Sequence, residues 1–418
     1  MATLQTDLRI DSTSGIRSSP SIEGQFFKLS SRCSKIYLQA ISHRFAAATG
    51  MLGTVVLATT TLPLIWSASL ITVFALCALG ITSLAHYHWG KTVESAVLGI
   101  AIGDAFGSGI EGQSRDWIAE NVDFTKYVSV RSGEYLNGYK LGDYSDDTSD
   151  TIAMMNALMD PEVPFSEKSL YDQIKVQYDH SKKSRGGIPR SGFGSIAWVF
   201  RNEMTIEKLK EFQREKKYPG NAPAMRAVAI GLLKNENLIN EYAIINADVT
   251  HPNPKARAAS IIVARAARYM LVERGSQSGL IEYCKKHIKD IDEETYEYLG
   301  KIDQLGPKLS EEDYKFLVCP APFDSFMTKE PIMGLNSDSM RTAGTMLYIV
   351  KHSQSSFEAL KRSILTGGDV DSLAAIVMGV VGGRLGLSDL PQFLFDGLED
   401  REEIKTLARR FADNVVKS

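Results

Sequence analysis

Apolar residues return at three- and four-residue intervals in seven stretches: Val93 to Gly103, Thr151 to Met159, Pro223 to Leu233, Lys255 to Leu271, Arg341 to Val350, Phe357 to Leu365 and Ser372 to Leu385. That spacing predicts helices. Alternation of the kind a half-buried strand requires is almost absent. The expected fold class is therefore all-α, a single helical domain over residues 91–418. From Glu273 to Asp338 the chain is more charged and is broken at Gly306-Pro307 and Pro320-Ala-Pro322, which reads as an elaboration between core helices. There is no fixed-period repeat.

One segment departs from this amphipathic pattern. Phe45 to Trp89 contains no Asp, Glu, Lys or Arg. Pro63 and the Trp66-Ser-Ala-Ser69 stretch divide it into two lobes, Ala46 to Leu62 and Ala68 to Ala85, each near the lower limit of about 17 residues for crossing a bilayer. A membrane hairpin of two short helices over residues 45–90 is expected, after a basic, Ser-rich tail at 1–44. Arg32, Lys35 and Arg44 precede it and Lys91 follows it, which places both ends on the cytosolic side. The chain then reads as membrane-associated with its catalytic domain facing the cytosol. Short, moderately apolar spans suit a thin bilayer such as the endoplasmic reticulum or a mitochondrial membrane. A secreted bacterial effector acting in a host cell is one setting compatible with this layout. A buried helical pair is the alternative, favoured by the Thr, Ser and Gly content. A cleaved signal peptide is not expected, because the run starts far from Met1 and is longer than a signal core.

The composition narrows the function classes. With 47 basic and 50 acidic residues the formal charge is −3, so no nucleic-acid partner is expected. Cys33, Cys77, Cys284 and Cys319 lack ligand spacing, which argues against a disulfide framework and against a zinc site.

The chemistry concentrates in two acidic clusters, Tyr144-Ser-Asp-Asp-Thr148 and Thr366-Gly-Gly-Asp-Val-Asp-Ser372, each opening into an apolar helical run. A single Asp at such a place is an ordinary helix cap. A cap needs one acceptor, however, and each cluster packs two carboxylates and a hydroxyl beside a helix too apolar to face solvent. Like charges gathered there repel and are costly to desolvate unless a cation sits among them. Ser145, Asp146, Asp147, Asp369, Asp371 and Ser372 offer only hard oxygens, suited to magnesium or manganese.

These clusters belong to a larger set in a fixed order: Leu98-Gly-Ile-Ala-Ile-Gly-Asp-Ala-Phe-Gly107 with Glu111, then Ser191-Gly-Phe-Gly-Ser195, Pro219-Gly-Asn-Ala-Pro-Ala-Met-Arg226, Thr250-His-Pro252 and Asp338-Ser339. As a set they resemble the ADP-ribosylglycohydrolase family, which includes the dinitrogenase reductase-activating glycohydrolases and the ADP-ribosylhydrolases. The resemblance runs from about Leu98 to Leu387. It implies an all-helical domain holding two Mg2+ (or Mn2+) and removing ADP-ribose from ADP-ribosylated protein or small acceptors. It also implies the six oxygen ligands above as the metal-binding residues. Two departures stand out. Ser145 and Ser372 replace the usual Thr and keep a hydroxyl. Ala222 replaces a Gly, which puts the ligand pose in doubt if the backbone there needs positive φ or close approach to the ligand.

Glycosidic cleavage at the ribose passes through an oxocarbenium-like state commonly managed by two carboxylates. Glu111, with Asp146 and Asp147, is the expected catalytic group, Glu111 as general base or water-orienting residue; its bland reading is a surface acid. Gly192, Phe193, Gly194, Ser195, Gly220, Asn221 and His251 are the expected substrate-binding residues. The two Gly-containing loops would offer amides to the pyrophosphate at helix starts, Phe193 or Tyr218 would stack on adenine, and His251 would lie near the ribose. An arginine-linked acceptor would need a carboxylate for its guanidinium, with Asp143 or Asp150 available. The arginine linkage is favoured. Serine or small-molecule linkage, or a catalytically dead ADP-ribose-binding module, are the alternatives.

Overall fold

A stripe of glycines decides how the two central helices cross. The computed structural model describes residues 64–130, 139–184, 192–325, 328 and 330–415. Its first helix runs Leu64–Ser108 and presents Gly99, Gly103 and Gly107 four residues apart, hence on one face. A Cβ at Gly99 would lie 2.3 Å from the Met378 carbonyl oxygen, one at Gly103 2.3 Å from that of Ala374, and one at Gly107 2.4 Å from the Asp371 Cα. Any side chain on that stripe would push the Val370–Leu385 helix away. With none, the two backbones touch, and the start of Val370–Leu385 is delivered next to the end of the first helix.

Val370–Leu385 is buried from Val370 to Gly383, as expected of a helix that is apolar all round and lies at the centre of a core. The helices Ser339–His352 and Ser356–Ile364 pack on it, and Pro254–Ala267 packs against Leu238–Asp248, Ala222–Met225 and Ser339–His352. Asp146–Met159 packs on Glu167–Ser184 and touches the C-terminal helix Arg401–Val415. Among the described residues the only strand pair is Phe323–Asp324 with Pro331–Ile332, antiparallel, Phe323 opposite Ile332. The all-α expectation holds for the described residues.

Two predicted helices differ in detail. Pro223 to Leu233 is a four-residue helix, Ala222–Met225, followed by a 3-10 turn, Val228–Leu232. The break falls at Arg226, whose guanidinium is buried at 1% exposure and makes four hydrogen bonds. Lys255 to Leu271 is α-helical only from Pro254 to Ala267 and widens to a π turn, Arg268–Val272. The charged elaboration forms the short helices Leu280–Lys285, Glu293–Ile302 and Glu311–Val318.

Tyr87–Ser418 forms one unit by its contacts, with residues up to His86 in another. The expected membrane hairpin is not part of the described architecture. Its first lobe, like the 1–44 tail, lies outside the described residues. Its second lobe does not end as a separate element, because the helix continues through Gly90 to Ser108. The sequence there supplies no breaker other than Gly90, and Lys91 pairs with Glu94 at 3.3 Å one turn on. Among the described residues no helix is long and apolar enough to cross a membrane.

Candidate active site

The Asp146–Met159 helix begins at Ser145, whose hydroxyl caps the Asp147 amide. Its start is held by a residue from the first helix. Asp104 is fully buried, accepts the Ser145 amide at 2.8 Å on Oδ1, and accepts the Thr148 amide at 2.9 Å and hydroxyl at 2.6 Å on Oδ2. The glycine crossing brings Asp371 to the same place. Asp104, Asp147 and Asp371 each offer an oxygen within 4.8 Å of the others, and Glu111, Asp369 and Asp371 form a second such group. Asp371 belongs to both.

Backbone pairing sets the second group. The Gly112 amide donates to the Gly368 carbonyl at 2.9 Å, the Gly368 amide to the Gln113 carbonyl at 2.8 Å, and the Asp369 amide to the Leu335 carbonyl at 2.8 Å. Gly368 has φ +80°, and a Cβ there would lie 2.0 Å from the Leu335 oxygen, so only glycine fits. This lacing turns Glu111 from a surface acid into a neighbour of Asp369. Asn221 donates through Nδ2 to Asp369 Oδ2 at 2.9 Å and to the Thr342 hydroxyl at 3.2 Å. Asn221, one of the residues expected to bind substrate, orients the Asp369 carboxylate.

The six expected oxygen ligands are gathered unequally. The hydroxyls of Ser145 and Ser372 both donate to Asp147 Oδ2, at 3.2 and 3.3 Å. Asp146 stands in neither group of three, and its Oδ1 faces Gly192, where a Cβ would lie 1.6 Å from it. Asp104 stands in the first group of three; in the sequence it is the one charged residue between Ser95 and Ile110, inside the Leu98-to-Gly107 motif.

The electrostatics are those of an uncompensated anion. Burial, then the charges of Asp150, Asp371, Asp104 and Glu111, hold the Asp146 carboxyl well above the usual range. Burial and the carboxylates of Asp104, Asp146, Asp371 and Asp369 do the same to Asp147. Asp369 is pushed up to about 6 by burial and Glu111. Asp147 Oδ1 is buried without a hydrogen-bond partner. A buried, unpartnered carboxylate oxygen facing other carboxylates, with hydroxyls and no sulfur or imidazole in either group, fits a hard divalent cation.

One turn further along the same helix the picture reverses. Asp150 Oδ2 accepts from Arg226 Nη1 at 3.0 Å, and both side chains are sealed from solvent. Arg226 also donates through Nε to Asn246 Oδ1 at 2.5 Å, and through Nη2 to the Asn246 carbonyl at 2.9 Å and the Thr250 hydroxyl at 3.0 Å. Asp150 is therefore not available to an acceptor guanidinium, which corrects that expectation. The other named carboxylate, Asp143, accepts the Lys140 amide at 2.7 Å.

The remaining substrate residues flank these carboxylates. Ser191 lies outside the described residues. Gly192 and Gly194 have φ +100° and +50°, Gly192 just ahead of a seven-residue helix, Gly194–Phe200, that Gly194 opens; Gly220 and Asn221 precede one of four residues. Helices this short carry little macrodipole, so the expected helix-start cradles reduce to loop amides. Phe193 is buried with its ring edge-on to Tyr178, centroids 5.3 Å apart, whereas Tyr218 is about half exposed. The Ser195 hydroxyl accepts from Gln213 at 3.3 Å. His251 is buried, and burial with the charges of Arg226 and Lys216 pulls it down to about 3. Ala222 is not among the residues with positive φ, so the positive-φ part of the objection to a methyl there falls away.

The comparisons agree with the fold. A profile of the ADP-ribosylglycohydrolase family matches residues 89–418. The chain is 21% identical to the ADP-ribosylhydrolase ARH3 of Xenopus tropicalis, over 74% of this chain and 92% of that protein. It is 22% identical to the ADP-ribosyl-[dinitrogen reductase] glycohydrolase of Rhodospirillum rubrum, over 74% of this chain and 90% of that one. A solved structure described as an ADP-ribosylglycohydrolase-related protein complex superposes with a TM-score of 0.56 at 18% identity, covering 79% of this chain and 99% of its own. The match over residues 89–418 settles the question of kinship: this chain belongs to the ADP-ribosylglycohydrolase family.

Proposed function

We propose that the chain hydrolyses the bond between the anomeric carbon of ADP-ribose and a modified protein, with two Mg2+ or Mn2+ bound at the acidic core. The observation that carries this reading is the pair of carboxylate groups sharing Asp371, with Asp147 Oδ1 unpartnered. Asp104, Asp147 and Asp371 would hold one cation and Glu111, Asp369 and Asp371 the other, with the Asp146 carboxylate and the Ser145 and Ser372 hydroxyls beside them. When bound, such cations supply a lowered water pKa and a clamp for ribose hydroxyls. The chain's own residues do the rest. Glu111, half-buried at the edge of its group, accepts a proton from the attacking water. Asn221 keeps Asp369 from rotating, and Asp104 fixes the turn that presents Asp147.

The acceptor linkage is decided beyond the ribose. With Asp150 committed to Arg226, an arginine acceptor loses one of its two expected carboxylates, which leaves Asp143 as the carboxylate to test for the favoured arginine linkage. The test is release of ADP-ribose by the full-length protein from arginine-, serine- and small-molecule-linked substrates, with Mg2+ and with chelator. Release from at least one substrate, lost on chelation and in Asp369→Ala, is expected. Release that persists in both would end the metal-dependent reading; tight ADP-ribose binding without release from any substrate would favour the binding module.

For location, we infer tethering by the uncharged Phe45-to-Trp89 stretch, supported by its composition alone. Deleting residues 45–82 should move the protein from the membrane to the aqueous fraction of cells. Aqueous partitioning of the full chain would remove the tether.

A further inference from the structure

Thr250 stands between a guanidinium and an imidazole, and its one proton has a single place to go. Arg226 Nη2 donates to Thr250 Oγ1 at 3.0 Å, and the same oxygen lies 2.7 Å from His251 Nδ1. The hydroxyl makes no other hydrogen bond among the described residues. It has one O–H and two lone pairs, and a guanidinium can only donate. If His251 carried its proton on Nδ1, Thr250 would accept twice and its own O–H would be left without an acceptor at 2% exposure, which burial penalises. The consistent arrangement has the Thr250 O–H donating to Nδ1.

The imidazole is then neutral with its proton on Nε2. Its neutrality agrees with a site that already contains the Arg226 charge and excludes water. Nε2 points at Gly220: a Cβ there would lie 2.8 Å from it. It has no hydrogen-bond partner among the described residues, yet it is not among the sealed, unpartnered side-chain atoms. The next residue after Gly220 is Asn221, which holds Asp369. An N–H on Nε2 is thus a donor at the edge of the acidic core, in a position that a side chain on residue 220 would block.

We propose that Arg226 and Thr250 act as positioning residues that fix His251 as the Nε2–H tautomer, a neutral donor aimed from beside Gly220 at a ribose or phosphate oxygen of bound ADP-ribose. The identity of the ligand rests on the functional reading above; the tautomer does not. A neutral donor suits this place, because an imidazolium would compete with the cations for the same carboxylates, and the reverse tautomer would turn a lone pair toward the substrate's oxygens.

The experiment uses the full chain labelled with 15N. Long-range 1H–15N correlation, with the His251 signal identified by its loss in His251→Gln, reads which ring nitrogen is protonated. Nε2–H is expected in the wild type and in Thr250→Ser, and a mixture or Nδ1–H in Thr250→Val, which removes the hydroxyl but keeps the shape. Calorimetry with ADP-ribose should show Thr250→Val binding about tenfold more weakly, the worth of one neutral hydrogen bond, with Thr250→Ser near wild type. A merely structural role for the hydroxyl would change thermal stability without moving the tautomer. Nδ1–H in the wild type, or unchanged tautomer and affinity in Thr250→Val, overturns the proposal. Should the wild type show Nε2–H but bind no ADP-ribose, the relay stands and the functional reading falls.

Discussion

Asp147 and Asp150 lie one turn apart on the same helix, both buried, and their surroundings are opposite. Asp150 meets Arg226, and that guanidinium is in turn satisfied by Asn246 and Thr250. Asp147 meets Asp104, Asp371 and two hydroxyls; each of the two carboxylates keeps one buried oxygen without a hydrogen-bond partner, so the difference between them lies in the charges around them. The first arrangement neutralises itself during folding. The second has no cation of its own among the described residues. Burial pushes both carboxyls above their ordinary value, but for Asp150 the opposing cation is built in, whereas for Asp147 every neighbouring charge adds to the push. The contrast separates a carboxylate neutralised within the fold from one left among like charges, a distinction that neither burial nor residue type makes alone.

The same substitution at the two positions should therefore have effects of opposite sign. Asp150→Asn leaves a buried guanidinium without its anion and is expected to lower stability by about 3–5 kcal/mol, with or without Mg2+. Asp147→Asn removes one charge from a repelling group and keeps an oxygen for the two serine hydroxyls. It should raise metal-free stability at pH 7.5 by about 1–2 kcal/mol while removing the gain that Mg2+ gives the wild type. Denaturant unfolding with and without Mg2+ measures both. Destabilisation by Asp147→Asn in the absence of metal would erase the contrast.

Only half of this contrast was readable in the sequence. Asp146, Asp147, Asp369 and Asp371 announced themselves because carboxylates were doubled beside apolar runs, and the chain folds so that the two runs meet. Asp104 was hidden inside a glycine-rich helix, where its chemistry depends on the stripe that lets Asp371 approach. Asp150 looked like a spare acid, since nothing local shows that Arg226, 76 residues away, would reach it. Arg226 itself sits in an apolar run that reads as continuous helix, and the helix breaks where its guanidinium turns inward. Most core helices were legible from spacing. Glu167–Ser184, Ile206–Glu215 and Arg401–Val415 were not singled out, as they are polar over most of their surface and bury only a narrow stripe. Partners distant in sequence are what the pattern of a segment cannot contain.

Titration should sharpen the difference further. Asp369 has its folded value raised to about 6 from 3.8, so without metal the folded state takes up protons first, and stability from this group is gained as pH falls through 6. His251 runs the other way. Its folded value is lowered to about 3 from 6.5, so the unfolded chain binds the proton first and stability is lost as pH falls below 6.5. Each proton is worth about 1.4 kcal/mol per pH unit. Metal-free protein should accordingly hold or gain stability between pH 6.5 and 5, since Asp146 and Asp147 add to the Asp369 side. With saturating Mg2+ the carboxylates are held ionised and stability should fall across the same window. Parallel curves with and without Mg2+ would mean that no cation enters this cluster.

The smallest test concerns how the uncompensated half is kept open on its loop side. Gly192 and Gly194 both have positive φ, so an alanine at either strains the backbone by about 1–2 kcal/mol. They differ in what the new methyl meets: Asp146 Oδ1 at 1.6 Å for residue 192, and nothing within 4 Å for residue 194. A carboxylate can swing aside, so Gly192→Ala should fold, but with Asp146 turned away from its neighbours. The two variants are expected to lose similar stability without metal, and only Gly192→Ala should shift the Mg2+ midpoint, by roughly tenfold toward higher concentration, the equivalent of one weakened charge contact. Equal midpoints would place Asp146 outside the cation's reach and leave Asp104, Asp147 and Asp371 to hold it, because backbone strain alone is common to both positions and cancels in the comparison.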